Sequence, residues 1–275
     1  MAVPLFIFAA TVCRFIQESG CEPRQQLAQV LQYQSRIHQS EIDKLEATYR
    51  PVLDRLLVGS EAAKRSVVAR FRAVVGSIVL LAEPLSIRSL ARLLDIPEDT
   101  VFHQLQPLRS VLRVPASADS ESPVRTFHLS FRDFLVDPEK ANDPEKFPFW
   151  VDERETHKRL AIRCLELLST DKTLRKDVCG LRLPGTLRSE INQNIIDTNL
   201  PPDVQYACRY WVYHWKESRC LIRDGDLVDR FLTRHLLHWL EALGLLGRVS
   251  ESIDMVDNLL ALLNVRCRFR SLMIY

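Results

Sequence analysis

Apolar residues recur three and four positions apart along most of this 275-residue chain. That is the period of an α-helix with one buried face, and it is clear over residues 40–57 and 61–81. The same period marks four later segments, at 153–168, 201–215, 226–243 and 253–263. The sequence therefore predicts a mainly α protein, with a helix end or kink at Pro51 because proline removes a backbone donor.

One central stretch departs from this long helical period. Residues 87–94, with Ser86 at the N-cap position, and residues 97–105 form two short helical segments around a three-residue turn, which is a helix-turn-helix pattern. Two segments of β character follow, at 111–114 and 124–129, separated by a polar loop. A hairpin after a helix-turn-helix predicts a winged helix, so the expected fold class is helical bundle segments around one winged-helix module.

Composition narrows the possible functions. The 37 basic and 35 acidic residues give a net charge of +2, which excludes a strong polyanion binder. Only 8 glycines are present, which disfavours glycine-rich nucleotide loops and tight-turned β-barrels. The 7 cysteines contain no C-x-x-C pair, and this predicts reduced, mostly buried thiols in a cytoplasmic protein.

The apolar run at residues 2–13 raises the question of a membrane segment or signal peptide. It is too short to span a bilayer, and no Lys or Arg precedes it to form the basic region of a signal peptide. We therefore expect a buried helix here and no association with a membrane. A Gln-rich helical stretch follows at residues 24–40.

Two groups of residues resemble sites for small ligands. The segment GLRLPGT at 180–186 has the glycine spacing of a phosphate loop, but it lacks the Lys that should precede Thr186, and Pro184 removes one amide. His235, His238 and His214 suggest a metal site, but no acid or cysteine is placed by sequence to complete tetrahedral coordination. We expect neither nucleotide binding at the loop nor a metal site.

Two features of the sequence bear on nucleic-acid binding. The helix at 97–105 would enter the major groove, yet it begins with Glu98 and Asp99 and carries no Lys or Arg before Arg109. Five aromatic residues offer rings that can stack on bases, but on a helix they point to several sides, so core packing is favoured. These are Tyr206, Tyr210, Trp211, Tyr213 and Trp215. We expect no specific nucleic-acid partner.

The segment VRTFHLSFRDFL, residues 124–135, resembles the motif that closes the winged helix of NACHT-type signal-transduction ATPases. In that motif a His precedes a Ser-Phe-x-Asp/Glu-Phe-Leu helix. Other segments are similar to fungal NACHT proteins of the heterokaryon, or vegetative, incompatibility class, which are STAND-type P-loop NTPases. They lie at 94–115, 149–168, 179–191, 200–215 and 231–253, and the resemblance covers about residues 3–263.

The resemblance implies a domain plan. Residues 1–60 match a helical subdomain that follows a missing NTPase core, 61–140 the winged-helix domain, and 141–265 a second helical domain. A basic tail at 266–275 does not align. The segment carries neither Walker A nor Walker B motifs, so the expectation is a chain that is not an enzyme and binds no cofactor alone, with ADP or ATP implied for the full-length family.

Two cofactor-binding residues are carried over by the resemblance, both conditional on a supplied NTPase core. His128 matches the winged-helix His that contacts the β-phosphate of bound ADP and holds the family's closed state. Pro4 matches the proline of a Gly-x-Pro motif that packs on adenine, although Ala2 replaces the glycine here. Independently of the family, an imidazole that donates to phosphate in only one state biases a two-state equilibrium.

The favoured hypothesis is a regulatory, non-catalytic module of a NACHT-type switch involved in innate-immunity-like non-self recognition. Its implied partners are a NACHT ATPase domain, in cis or in trans, and related NACHT proteins with which it oligomerises. The alternative is a winged-helix nucleic-acid-binding protein. A third hypothesis, an enzyme that uses His128 with Asp133, lacks a positioned nucleophile or oxyanion donor.

Overall fold

A computed structural model describes residues 3–17, 22–34, 41–118, 121–170, 172–182 and 185–263. The chain divides into two compact units, which we call unit 1 and unit 2. Unit 1 comprises Met1–Arg88 and Ile96–Asp152, and unit 2 comprises Ser89–Asp95 and Glu153–Tyr275. The described residues are mainly helical, as the sequence predicts, with one small two-stranded sheet among them.

The elements up to residue 152 are short to medium helices and a hairpin. In chain order they are α1 (Val3–Ile16), α2 (Pro23–Gln34), α3 (Glu41–Asp54), α4 (Glu61–Leu80), α5 (Ile87–Leu94), α6 (Glu98–Leu105), β1 (Leu112–Arg113), β2 (Arg125–Thr126) and α7 (Leu129–Val136). Short 3-10 helices lie at Gln106–Leu108 and Pro138–Asn142. Residues 89–95, which include most of α5, group with unit 2.

The core of unit 1 contains the C-terminal half of α4 and the buried side of α7, and both pack against aromatic residues. Phe71 of α4 lies edge-on to Phe149, with ring centroids 4.6 Å apart. At Gly76 a Cβ would lie 3.2 Å from a methyl of Val151, so the missing side chain permits close packing there. Ser60 caps α4 by accepting the Ala63 N–H at 3.3 Å.

Two predictions about the first helices need refinement. The segment at 2–13 is helical in its described part, but it is not buried all round, because Cys13 and Arg14 are exposed while Thr11 and Phe15 are buried. Helix α3 runs through Pro51 and ends at Asp54. Proline removes only one backbone hydrogen-bond donor, and α3 continues for less than one turn beyond Pro51, so little helical hydrogen bonding is lost.

The predicted helix-turn-helix and hairpin elements follow one another in the expected order. The hairpin is shorter than predicted, since the antiparallel pairing joins only Leu112 to Thr126 and Arg113 to Arg125. A third extended piece lies beside it, where the Val124 N–H donates to the Leu85 carbonyl at 2.9 Å. Because α5 is divided between the two units, assembly of these elements into a winged helix stays a prediction.

Unit 2 is built on longer helices around buried tryptophans. Its further elements are α8 (Glu153–Leu168), a 3-10 helix (Arg188–Glu190), α9 (Gln193–Asn199), α10 (Pro202–Glu217), α11 (Leu227–Leu245) and α12 (Val249–Leu262). Trp211 of α10 lies edge-on to Trp239 of α11 at 5.3 Å between centroids. The Trp239 indole N–H donates to the Cys208 carbonyl at 2.8 Å, which satisfies this buried donor.

The cysteines in the described part of the chain are free thiols. Cys164, Cys179 and Cys208 are buried, whereas Cys13 is exposed. Burial raises the pKa of Cys208 to about 12 and also raises the pKa of Cys164, so these thiols stay protonated and unreactive. Across the described residues, no helix has the length and apolar character needed to span a membrane.

Candidate functional site

His128 occupies the junction between the hairpin and α7 in unit 1. Its backbone is extended, with φ −147° and ψ 146°, and its side chain caps α7. The Ser130 N–H donates to His128 Nδ1 at 3.0 Å, in the way an Asp or Ser oxygen usually caps a helix. Nδ1 is therefore the acceptor of the neutral ring, and the ring proton resides on Nε2.

The Ser130 hydroxyl joins His128 to the interior of unit 1. Ser130 Oγ lies 2.8 Å from His128 Nδ1 and 2.7 Å from the hydroxyl of Tyr49. Tyr49 belongs to α3, and its ring packs against Phe131 and Phe134 of α7, with centroids 5.1 and 5.4 Å away. The imidazole is thus attached both to the first turn of α7 and to a buried aromatic cluster.

An exposed rim surrounds the imidazole. Phe127 and Leu129, which flank His128 in the chain, are 41% and 60% exposed. The Arg14 guanidinium of α1 lies over the Phe127 ring, 3.9 Å from its centroid. His128 itself is exposed. The surface therefore combines an imidazole donor, a cation and apolar side chains, which suits contact with another protein surface that holds an anion.

The second carried-over residue, Pro4, stands in the first turn of α1. Its side chain lies outside the described part of the structure, as does Ala2. The predicted contact of Pro4 with adenine therefore stays a prediction. The structure gives no position of its side chain relative to His128.

Asp133, the proposed partner of His128 in an enzyme, is exposed on α7. The hydrogen bonds of the described residues join His128 to Ser130 and not to Asp133. Because Ser130 already occupies Nδ1, a carboxylate could not orient the imidazole through that nitrogen as in a catalytic triad. This geometry gives no support to the catalytic hypothesis.

The glycine-containing loop at 180–186 borders an open pocket of about 580 Å³ in unit 2. Two of its amides are occupied, because the Leu181 and Arg182 N–H groups donate to the Asp177 carboxylate at 2.7 and 3.0 Å. A phosphate loop needs such amides free and aimed at the anion. Leu183 and Pro184 lie outside the described residues.

The histidines and aromatic residues of unit 2 are mostly packed inside it. His214 and His235 are buried, as are Tyr206, Trp211 and Trp215, while Tyr213 is 41% exposed. This agrees with core packing for most of the aromatic cluster. In the part of the chain that the structure describes, no group of three or more His, Cys, Asp or Glu side chains is arranged to hold a metal ion.

The acidic start of the predicted recognition helix is confirmed as the first turn of α6. Within unit 1, Glu98 is 3.7 Å from the Arg88 guanidinium, and Arg88 also contacts Glu121 at 3.3 Å. The nearby cation is therefore shared between two carboxylates. A phosphate backbone would meet negative charge at this helix end.

Sequence reasoning placed His128 but missed the two residues that orient it. Ser130 lies within the motif at 124–135, where the pattern gives it no role of its own. Tyr49 lies 81 residues before Ser130, within the helical stripe at 40–57. A polar hydroxyl within a helical stripe was the available signal, since a buried Tyr O–H requires a partner.

A vegetative incompatibility protein is similar to this chain over almost the whole length of the chain. That relative is HET-E-1 from Podospora anserina, which is 26% identical across 96% of this chain. The aligned region is 19% of HET-E-1, so the chain spans about a fifth of the relative's length. No protein-family model matches the sequence, and no solved structure matches it.

Proposed function

We propose that this chain is a regulatory, non-catalytic module of a NACHT-type signal-transduction NTPase that acts in heterokaryon incompatibility. Support comes from the similarity to HET-E-1, which extends over 96% of the chain. The sequence motif at 124–135 supports the NACHT assignment, because it resembles the end of that family's winged helix. In this proposal the nucleotide is held by an ATPase core that the segment itself does not contain.

The observation that carries the proposal is the orientation of His128. Its Nδ1 accepts the Ser130 N–H at 3.0 Å, which leaves the exposed ring with a proton on Nε2. A phosphate oxygen of ADP is the acceptor that this donor would meet. A contact made only in the ADP-bound state, with a coupling of about 1 to 3 kcal/mol, shifts a closed-to-open equilibrium about 5- to 150-fold.

The remaining parts of the chain have roles in this proposal. Residues 1–60 form the helical subdomain, 61–140 the winged helix and 141–265 the second helical domain. Partners are the NACHT ATPase domain, in cis or in trans, and related NACHT proteins in an oligomer formed in the cytoplasm. In this proposal the chain performs no catalysis, and its loop amides at 181 and 182, which donate to Asp177, are not free to hold a nucleotide phosphate.

The test joins a NACHT ATPase core ahead of residue 1 and measures the release of a fluorescent ADP analogue. In this fusion protein His128→Leu removes the donor but keeps most of the bulk. Loss of a hydrogen bond to a charged group, about 1.5 to 3 kcal/mol, should speed release roughly 10- to 150-fold and favour larger assemblies.

His103→Leu is the matched control, because His103 is also exposed and belongs to α6 rather than to the rim around His128. It should leave ADP release unchanged. Light scattering on the same samples reports the assembly state. If the fusion protein with His128→Leu retains its fold and releases ADP at the unaltered rate, the proposed role of His128 is wrong.

A further inference from the structure

We propose that Tyr49 and Ser130 are positioning residues that hold His128 in the Nε2–H tautomer through a directed chain of hydrogen bonds. The use of this tautomer for phosphate contact rests on the proposed function. The hydrogen-bond chain itself lies entirely within unit 1. It can therefore be tested without an ATPase core.

The direction of the chain is set at its buried end. Tyr49 is 2% exposed, and burial raises the pKa of its hydroxyl, so the O–H stays protonated. A buried O–H needs an acceptor, because an unbonded donor in the interior costs free energy. Among the described residues, the hydroxyl of Tyr49 has the Ser130 hydroxyl, 2.7 Å away, as its hydrogen-bond partner.

The direction of the second hydrogen bond, from Ser130 to His128, follows from the first. Since Ser130 Oγ accepts from Tyr49, its own proton is available for His128 Nδ1, 2.8 Å away. The Ser130 N–H donates to the same nitrogen at 3.0 Å. Two donors from one residue thus converge on Nδ1. A proton on Nδ1 would instead face the Ser130 N–H, donor against donor, and would leave the Ser130 hydroxyl proton without this acceptor.

This arrangement defines the chemistry that His128 presents at the surface. With Nδ1 occupied from within, the exposed ring offers a single N–H donor from Nε2. Such a group recognises an anionic oxygen, as in a phosphate, and does not ligate a metal ion through Nε2 without losing that proton. The residues inside unit 1 thereby select the ligand class at its surface.

The experiment measures the ring tautomer of His128 in the full 275-residue chain labelled with ¹⁵N-histidine. Long-range proton–nitrogen correlations at neutral pH distinguish a protonated from an unprotonated ring nitrogen. The His128 signals are identified by their loss in His128→Leu. We expect a protonated Nε2 and an unprotonated Nδ1, and a protonated Nδ1 in the unaltered chain overturns the proposal.

Tyr49→Phe keeps the ring in its aromatic cluster and removes only the hydroxyl that directs the chain. It should raise the ratio of the Nδ1–H to the Nε2–H tautomer about 2- to 10-fold, the range for one neutral hydrogen bond. Ser130→Ala should raise it as well, and Ser130→Thr should restore it. Ser252→Ala removes a hydroxyl that bonds the Val249 carbonyl in α12, and it is the matched control with no expected change.

The outcomes separate this inference from the proposed function. An unchanged tautomer ratio in both Tyr49→Phe and Ser130→Ala overturns the positioning role, whatever the fusion protein does with ADP. Unchanged ADP release in His128→Leu overturns the phosphate contact but leaves the tautomer result standing. A structural role for Tyr49 alone would alter stability without moving the ring proton.

Discussion

His157 of α8 and His214 of α10 face each other through their Nδ1 atoms, which lie 2.7 Å apart inside unit 2. Only one of the two nitrogens can carry a proton in this contact. His214 Nε2 is also 2.7 Å from the hydroxyl of Tyr206. Both rings are buried, so a positive charge on His214 loses its hydration, and the contact cannot hold a proton on both Nδ1 atoms.

We predict that this histidine pair makes unit 2 sensitive to acid. Burial, and then the neighbouring His157, lower the pKa of His214 from 6.5 to about 3. Between these values the unfolded chain binds a proton that the folded chain does not, so stability falls as the pH drops below about 6.5. One such proton lowers the free energy of unfolding by about 1.4 kcal/mol per pH unit.

Urea unfolding followed by tryptophan fluorescence, at steps from about pH 7 to about pH 4, measures this dependence. Trp211, Trp215 and Trp239 report on unit 2. His214→Gln is the comparison, because its amide offers a donor and an acceptor but does not titrate. A variant whose stability falls with acid as steeply as that of the unaltered chain would show that His214 is not responsible.

A second prediction concerns the two neighbouring apolar residues of α7 that differ in burial. Phe131 is 1% exposed and packs on Tyr49, whereas Leu129 is 60% exposed. Phe131→Ala should lower the free energy of unfolding by about 3 to 5 kcal/mol, because it leaves a cavity in the core. Leu129→Ala should change it by less than about 0.5 kcal/mol.

Chemical denaturation of both variants at neutral pH measures the difference. The pair is matched, since each substitution removes a large apolar side chain from the same helix. Equal losses of stability would contradict the burial of the α7 core face. A selective loss in Phe131→Ala would also show that the fold around His128 depends on the aromatic cluster.

The long helices were predictable because their period extends over several turns. Residues 153–168 form α8 as predicted, and α11 was placed to within two residues at each end. Helix α9, with 7 residues, was missed because it is too short to show a helical period. Helix α12 begins four residues before the predicted start. Its first residue, Val249, is exposed, so it does not belong to the buried apolar face on which such a prediction depends.

The sequence predicts only the part of the candidate site that depends on residues close together in the chain. The position of His128 at a helix start followed from the motif around it. The contact between Tyr49 and Ser130 joins residues 81 positions apart, and no local pattern encodes such a pairing. The hydroxyl network depends on how α3 packs against α7, which periodicity does not specify.

A third prediction is that duplex DNA binds weakly and without sequence preference. Glu98 and Asp99 open α6, and Arg88 is engaged by Glu98 and Glu121. The dissociation constant at physiological salt should lie in the nonspecific range, about 10⁻⁴ to 10⁻⁶ M. Fluorescence anisotropy with two unrelated duplexes measures it.

The double variant Glu98→Ala and Asp99→Ala removes the two acids from the start of α6. Affinity should then rise modestly and by the same factor for both duplexes, because only nonspecific repulsion is relieved. Nanomolar binding of one duplex but not the other by the unaltered chain would favour the nucleic-acid-binding alternative.

The last prediction is that the isolated chain does not hydrolyse ATP or GTP. The loop at 180–186 has no Lys before Thr186, and its Leu181 and Arg182 amides donate to Asp177. The Asp177 carboxylate also lines the pocket beside the loop, together with the basic residues Lys176, Arg182 and Arg188. Phosphate release with Mg²⁺ should therefore equal that of buffer alone. Asp177→Asn removes the carboxylate that holds the two amides and keeps a side chain that tolerates the left-handed backbone at φ 53°. This variant should remain equally inactive because no lysine is gained. Turnover that survives further purification and changes in Asp177→Asn would place a nucleotide site at this loop and contradict the non-catalytic assignment.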